Sequence, residues 1–219
     1  MTLSWRSFLL LRKMLKIGTK KFGIIFDRYR SVIKKKKFSM KKIFSIFLML
    51  VAVVASAQEI KWMSMNDALA AQKKTPKKIF MDVYTTWCGP CRLLSEKTFK
   101  NKDLVKYIND NFYAVKFNAE GNEEVVYNGT TYKNNNYDPA KANTRNGMHD
   151  FAGALGVSAY PTMLIFDEKG TPVFPITGYL TATQLEPHIK FVGNNTYLTV
   201  TTQEAYDKYL KTFKGTFKN

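Results

Sequence analysis

Cysteine and histidine are both scarce: two of each occur in 219 residues. Two cysteines exclude a disulfide-rich scaffold. Acids are nearly missing from one end of the chain, where residues 1–42 hold 14 of the 34 Lys and Arg and a single acid, Asp27. Residues 43–57 carry no charge at all. The remaining 162 residues hold 20 basic and 16 acidic side chains, a net of +4. The formal +17 of the whole chain therefore belongs to a leader, which removes the case for a nucleic-acid-binding domain. What is abundant is apolar: 45% hydrophobic and 14% aromatic residues support one packed core and exclude a wholly disordered chain.

The leader has internal structure. From Met40 the chain reads MKKIFSIFLMLVAVVASAQ. Lys41 and Lys42 form a short basic region, residues 43–54 an apolar run, and Ala55-Ser56-Ala57 a small-x-small cleavage site, so that Gln58 is the expected first mature residue. These are the parts of a secretory signal peptide, in order. The competing reading is an uncleaved anchor in an inner membrane, facing the periplasm. Residues 43–57 give an uncharged run of only 15 residues, whereas a bilayer span takes about 20, so cleavage is favoured. No cysteine follows the run to take a lipid. Residues 1–39 are a basic extension, either an upstream addition from a misassigned start or an organelle presequence; the complete signal peptide from Met40 favours the former. The expected domain is therefore 58–219.

Within it, Ser64 with Asp67 marks a helix start, and the helix should run to about Lys73 before Thr75-Pro76 ends it. Residues 79–84, IFMDVY, form a buried-strand run interrupted by one acid. A helix should open at Cys88-Gly89-Pro90-Cys91 and continue to about Ile108, followed by a strand over residues 112–118. Residues 119–149 are polar and Asn-rich, longer than connections in compact domains usually are, and β-formers on both sides of Asn128-Gly129 predict a hairpin there. A helical turn or two is expected over 151–155, then strands over 162–166 and 173–177 joined by Asp167-Glu168-Lys169-Gly170. Thr181 and Gln184 fit a capping box, while Pro187 implies a helix that begins late or is kinked. Tyr206, Tyr209, Leu210 and Phe213 recur at helical spacing, a C-terminal amphipathic helix over about 202–214 that should dock on the domain's own core.

Both cysteines fall in Trp87-Cys88-Gly89-Pro90-Cys91. Two intervening residues at a helix start bring the sulfurs within bonding distance. Unpaired N–H groups and the helix dipole favour a thiolate at Cys88, with Cys91 a turn further in. Such a thiol is nucleophilic near neutrality, and its neighbour can resolve a mixed disulfide. Half a zinc site has the same spacing, but the two histidines, His149 and His188, lie far along the chain, so no metal is expected. His149 itself is expected as a loop or cap residue. A purely structural bridge over so short a loop would stabilise little.

With these residues in place, IFMDVYTTWCGPCR over 79–92 resembles the active-site strand and helix start of the thioredoxin superfamily, and the likeness extends over about 60–192 with 119–149 as an insertion. The resemblance implies a thioredoxin fold: an α/β domain with a central mixed sheet, helices on both faces and, here, an inserted β-hairpin. It places Asp82 on the buried acid that assists proton transfer at the second cysteine and Lys116 on the lysine beside that acid. Tyr160-Pro161-Thr162 matches the cis-proline loop that pairs with substrate backbone, and Gly178 the glycine after the last strand. Trp87, Gly89, Pro90, Tyr160 and Pro161 would contact substrate; Asp82, Lys116, Cys88 and Cys91 would carry the chemistry. No cofactor is implied. The partners would be proteins with disulfides and an upstream thiol reductant, with the membrane met only transiently through the signal peptide and the domain acting as a monomer. Gly-Pro between the cysteines resembles reducing thioredoxins, at about −270 mV against about −120 mV for a strong periplasmic oxidant. The expected activity is a protein-disulfide reductase of the bacterial periplasm; the alternatives are an oxidase or isomerase, or a binding module without turnover.

Overall fold

The computed structural model describes residues 59–218; the readings made for the leader, cleavage site and Gln58 lie outside the described residues. The order of elements is β1 (Trp62–Met63), α1 (Met65–Lys74), β2 (Lys78–Tyr84), α2 (Gly89–Glu96), α3 (Lys102–Asn111), β3 (Phe112–Asn118), β4 (Val125–Tyr127), β5 (Thr130–Tyr132), α4 (Asp150–Ala154), β6 (Thr162–Phe166), β7 (Pro172–Thr177), α5 (Ala182–Gly193) and α6 (Gln203–Thr212). Five strands form one sheet in the order β1-β3-β2-β6-β7. β3 runs parallel to β1 and β2, whereas β6 is antiparallel to both β2 and β7. The sheet is mixed, with β2 at its centre.

Alternation along the strands assigns the two faces. Phe80, Ala114, Met163 and Ile165 pack with Leu94 of α2, Leu104 and Ile108 of α3, and Leu185 and Ile189 of α5. Ile79, Met81, Val83, Val115, Phe117 and Leu164 pack on the other side with Met65 and Ala68 of α1 and Phe151 of α4. Helices therefore cover both faces, as the resemblance implied. Asp82 and Lys116 have the parity of Phe80 and Ala114, and they are register partners across β2 and β3. Both thus fall on the face that α2 covers.

Caps explain several boundaries. The Ser64 hydroxyl accepts from Asp67 N–H at the start of α1, and Thr181 and Gln184 form a full capping box at α5. That box starts α5 at Ala182, with Pro187 inside the helix. Of the two expectations, a late start near Glu186 or a kink, the late start is thereby corrected: the capping box fixes the first turn ahead of Pro187.

The helix expected from Cys88 to Ile108 is in fact two. α2 stops at Glu96, a 3-10 turn follows over Thr98–Lys100, and Asn101 caps α3 through Asp103 and Leu104 N–H. The break turns Phe99 into the core, where its ring meets Phe80 and Trp62 edge-on. The Thr98 hydroxyl donates to Leu180 carbonyl at 2.6 Å. Tertiary contacts override an uninterrupted helical pattern here.

The Asn128-Gly129 hairpin forms as expected, β4 pairing with β5. Asn128 and Gly129 sit at φ 50° and 78°, the left-handed pair that a two-residue turn of this hand needs. It is not a separate lobe. Val125 is buried, and Tyr127 and Tyr132 pack their rings at a tilt against Phe151. Asn66 of α1 clasps it, donating to Glu124 carbonyl and accepting from Val126 N–H.

The C-terminal helix spans Gln203–Thr212, with the Tyr206 ring edge-on and the Tyr209 ring tilted against Phe191 of α5. Among the described residues, no helix is long and apolar enough to cross a membrane.

Candidate active site

β2 ends at Tyr84, and the chain turns through Thr85, Thr86 and Trp87 into α2. Cys88 is the N-cap of α2, and its sulfur accepts from Cys91 N–H at 3.1 Å. Pro90 lies in the first turn, where a missing N–H costs nothing. The two sulfurs are bonded to each other across a Cα–Cα separation of 5.3 Å. Cys88 is 5% exposed and Cys91 3%. Both residues are buried in this disulfide form, and Cys88 is the one at the positive end of the helix.

Beneath α2 lies a charged pair. Asp82 is fully buried, and its Oδ2 accepts from Lys116 Nζ at 2.7 Å, while its Oδ1 has no hydrogen-bond partner. Burial raises the Asp82 carboxyl above its ordinary range, and Lys116 offsets part of that rise. The ammonium also donates to Ser95 Oγ of α2 at 2.8 Å and lies over the rings of Tyr84, Trp62 and Phe99. These rings and Ser95 hold the lysine where it faces the carboxylate. Sequence reasoning did not single out Ser95 or Trp62; a serine one turn after the second cysteine was the available signal.

The third part is the loop before β6. The Tyr160–Pro161 peptide bond is cis. Gly178, at φ 95°, donates its N–H to Pro161 carbonyl at 2.9 Å, so the last strand's glycine buttresses this loop. The Tyr160 ring meets Trp87 edge-on at 6.1 Å between centroids, which brings the loop to the cysteine-bearing turn. Burial, helped by Glu120, raises the Tyr160 phenol. The structure therefore places Trp87, Cys88, Gly89, Pro90, Cys91, Tyr160 and Pro161 at one end of the sheet, with Asp82 and Lys116 under α2.

His149 is the N-cap of α4. Its Nδ1 accepts from Phe151 N–H and its Nε2–H donates to Glu123 carbonyl, so both ring nitrogens are used. It is a cap residue, as expected. No group of His, Cys, Asp and Glu among the described residues could hold a metal ion.

Residues 65–193 match the model of the thioredoxin-like domain family. The chain belongs to that family. Its thioredoxin-like domain is also similar to the thiol:disulfide interchange protein DsbD of Citrobacter koseri, 26% identical over 129 residues. That match covers 58% of this chain but only 18% of DsbD, so the chain spans less than a fifth of that relative. Among solved structures, a thioredoxin-fold protein from Helicobacter pylori is 22% identical, covering 70% of this chain and 86% of the other, with a TM-score of 0.49. A candidate disulphide-isomerase from Bacteroides thetaiotaomicron is 27% identical, covering 64% and 98%, with a TM-score of 0.45.

Residues absent from the sequence-based site also gather here, Glu120, Ala142, Arg145 and Asn146 from the 119–149 connection and Thr86 from the turn before α2. Glu120 Oε2 accepts from Trp87 Nε1–H and from Asn146 N–H, each at 2.8 Å. The Arg145 guanidinium lies over the Trp87 ring at 4.4 Å. Thr86 hydroxyl donates to Ala142 carbonyl. No local sequence pattern marks these residues, since they meet the site only through the fold.

Proposed function

We propose that the chain is an exported thiol–disulfide oxidoreductase that reduces disulfides of proteins in the bacterial periplasm. The observation that carries the reading is the joined pair Cys88–Cys91 at the start of α2, above a buried Asp82–Lys116 pair and beside a cis-proline loop. Membership of the thioredoxin-like family supports a redox role; the reductase direction rests on Gly89-Pro90 and the compartment on the signal peptide that begins at Met40.

In the reduced protein, the Cys88 thiolate attacks one sulfur of a substrate disulfide. A new S–S bond joins Cys88 to substrate, and the other substrate sulfur leaves as a thiolate that takes up a proton. Cys91 then loses its proton and attacks Cys88 Sγ, expelling the second substrate thiol. The substrate gains two electrons and two protons, and the protein is left with the Cys88–Cys91 bond. A dithiol donor must reverse this to restart the cycle.

Asp82 accepts the Cys91 proton, through water, because burial makes its carboxylate a stronger base than an exposed one. Lys116 keeps that carboxylate ionised often enough to act. Pro161 and Tyr160 shape the groove for substrate backbone, with Trp87, Gly89 and Pro90 as its other wall.

The test is the midpoint potential of the Cys88–Cys91 couple, with turnover on a protein disulfide driven by a dithiol. A value near about −270 mV supports a reductase, and one near about −120 mV would make the protein an oxidant. Absence of turnover with Cys88→Ser behaving like wild type in partner capture would make it a binding module.

A further inference from the structure

Residues 58–219 contain 18 lysines and only two arginines, Arg92 and Arg145. Arg92 directly follows Cys91, and Arg145 lies on the tryptophan that directly precedes Cys88. Arg145 is exposed, and among the described residues its guanidinium makes no hydrogen bond and no ion pair; it lies on the indole face. Five N–H donors are therefore presented to solvent on a fixed plane.

The support beneath it is built. Glu120 Oε2 holds both Trp87 Nε1–H and the N–H of Asn146, the residue after Arg145. Asn146 in turn donates its side-chain amide to Asp138 carbonyl and accepts from Asp138 N–H. The Glu120 carboxylate thus bonds the indole edge and the backbone, and makes no ion pair with the guanidinium. Such an arrangement leaves a solvent-facing cation without a protein carboxylate, stacked on the residue that precedes Cys88.

From this we infer that Arg145 is a specificity-determining residue, which takes the carboxylate of an Asp or Glu lying a residue or two from the disulfide of a polypeptide substrate. The inference rests on the redox reading above. A planar guanidinium pairs with a carboxylate through two parallel N–H···O bonds, and one already stacked on an aromatic face loses little freedom in doing so. The net +4 of residues 58–219 favours acidic partners in the same direction.

The experiment uses three synthetic peptides with one disulfide, identical except for Glu, Gln or Lys beside the cystine, and 2-hydroxyethyl disulfide as a small uncharged oxidant. Single-turnover rate constants are measured with the reduced protein. The expected order is Glu over Gln over Lys, with Glu ahead of Gln by about three- to fivefold, as for an exposed pair, and the gap closing at high salt. Arg145→Gln should abolish the gap, Arg145→Lys should restore part of it, and neither should change the rate with 2-hydroxyethyl disulfide. Equal rates for the Glu and Gln peptides in wild type, or a gap that persists in Arg145→Gln, would overturn the inference while leaving the redox reading intact. No exchange even with 2-hydroxyethyl disulfide would instead remove the redox reading on which the inference rests.

Discussion

Asp82→Asn separates the proton-accepting role proposed for the buried carboxylate from its structural cost. At 2.7 Å from Lys116 Nζ, attraction in an effective dielectric of about 20 amounts to roughly 6 kcal/mol. Removing a carboxylate from water costs several kcal/mol, and partly burying the ammonium adds to that. The two nearly cancel, and the upward displacement of the Asp82 carboxyl shows that burial has the larger share. Lys116 would keep Ser95 Oγ and its aromatic neighbours in the variant, so no charge is stranded without partners. The amide placed at the unpartnered Oδ1 position brings a penalty of about 1 kcal/mol. The net expectation at pH 8 is a stability gain between zero and about 2 kcal/mol.

The pH dependence carries the sharper test. With its carboxyl raised in the folded state, wild type loses stability as pH climbs from the ordinary carboxylate range through the folded value. The variant has no such loss, so its advantage should be greatest at pH 8 and shrink towards pH 4. Urea unfolding across that range measures it, and the mixed-disulfide lifetime at neutral pH should lengthen by about tenfold or more. A variant whose advantage grows in acid would refute the assignment of the shift to burial. Wild-type turnover across neutral pH would remove Asp82 from the proton path.

Three further outcomes are expected. In the reduced protein at neutral pH, Cys88 should be alkylated before Cys91, which peptide mapping reads directly; Cys91 labelled first would exchange their roles. Glu186 is fully buried and accepts from Lys190 Nζ, Thr216 N–H and hydroxyl, and Phe217 N–H, so Glu186→Ala should cost about 3 kcal/mol in urea unfolding and free the C-terminal tail to protease. Burial opposes ionisation there, but those donors outweigh it and hold the carboxyl below its usual range; the stability it supplies is present above about pH 4.5 and lost as pH falls through the folded value, so wild type and variant should converge in acid. Intact-mass measurement of the exported protein should give a chain starting at Gln58, and a retained 43–54 segment would indicate an anchor.

The pattern of legibility follows the range of the interactions. Strand β2, the capping box at Thr181, the Asn128-Gly129 turn and the Cys88–Cys91 pair are written in neighbouring residues, and each appears in the structure where local chemistry put it. Asp82 and Lys116 were legible only through the resemblance, since 34 residues separate them and only the parallel register of β2 and β3 makes them partners. The break at residues 97–101 was hidden because Phe99 and Thr98 answer to distant partners, Trp62 and Leu180. Glu186 was hidden for the same reason, its four donors lying up to 31 residues ahead. The 119–149 connection read as one polar insertion, yet its first half is core: Val125 and two tyrosines supply apolar packing that a Gly-Ser replacement would strip away.

Beyond the hairpin, Asp150 N–H donates to Lys133 carbonyl at 3.1 Å. The residues between these two, which bring Ala142 to Thr86, Arg145 to Trp87 and Asn146 to Glu120, leave and rejoin the domain beside this backbone hydrogen bond. A loop closed at its neck transmits little of its length or composition to the sheet, and closure entropy rises only slowly as residues are added. This arm is accordingly a port for exchange: sequences of different length could be spliced between Lys133 and Asn146, while His149 stays in place to cap α4 at Phe151 N–H and to hold Glu123 carbonyl. Substrate preference and thiol chemistry would then evolve, or be engineered, on separate parts of one chain.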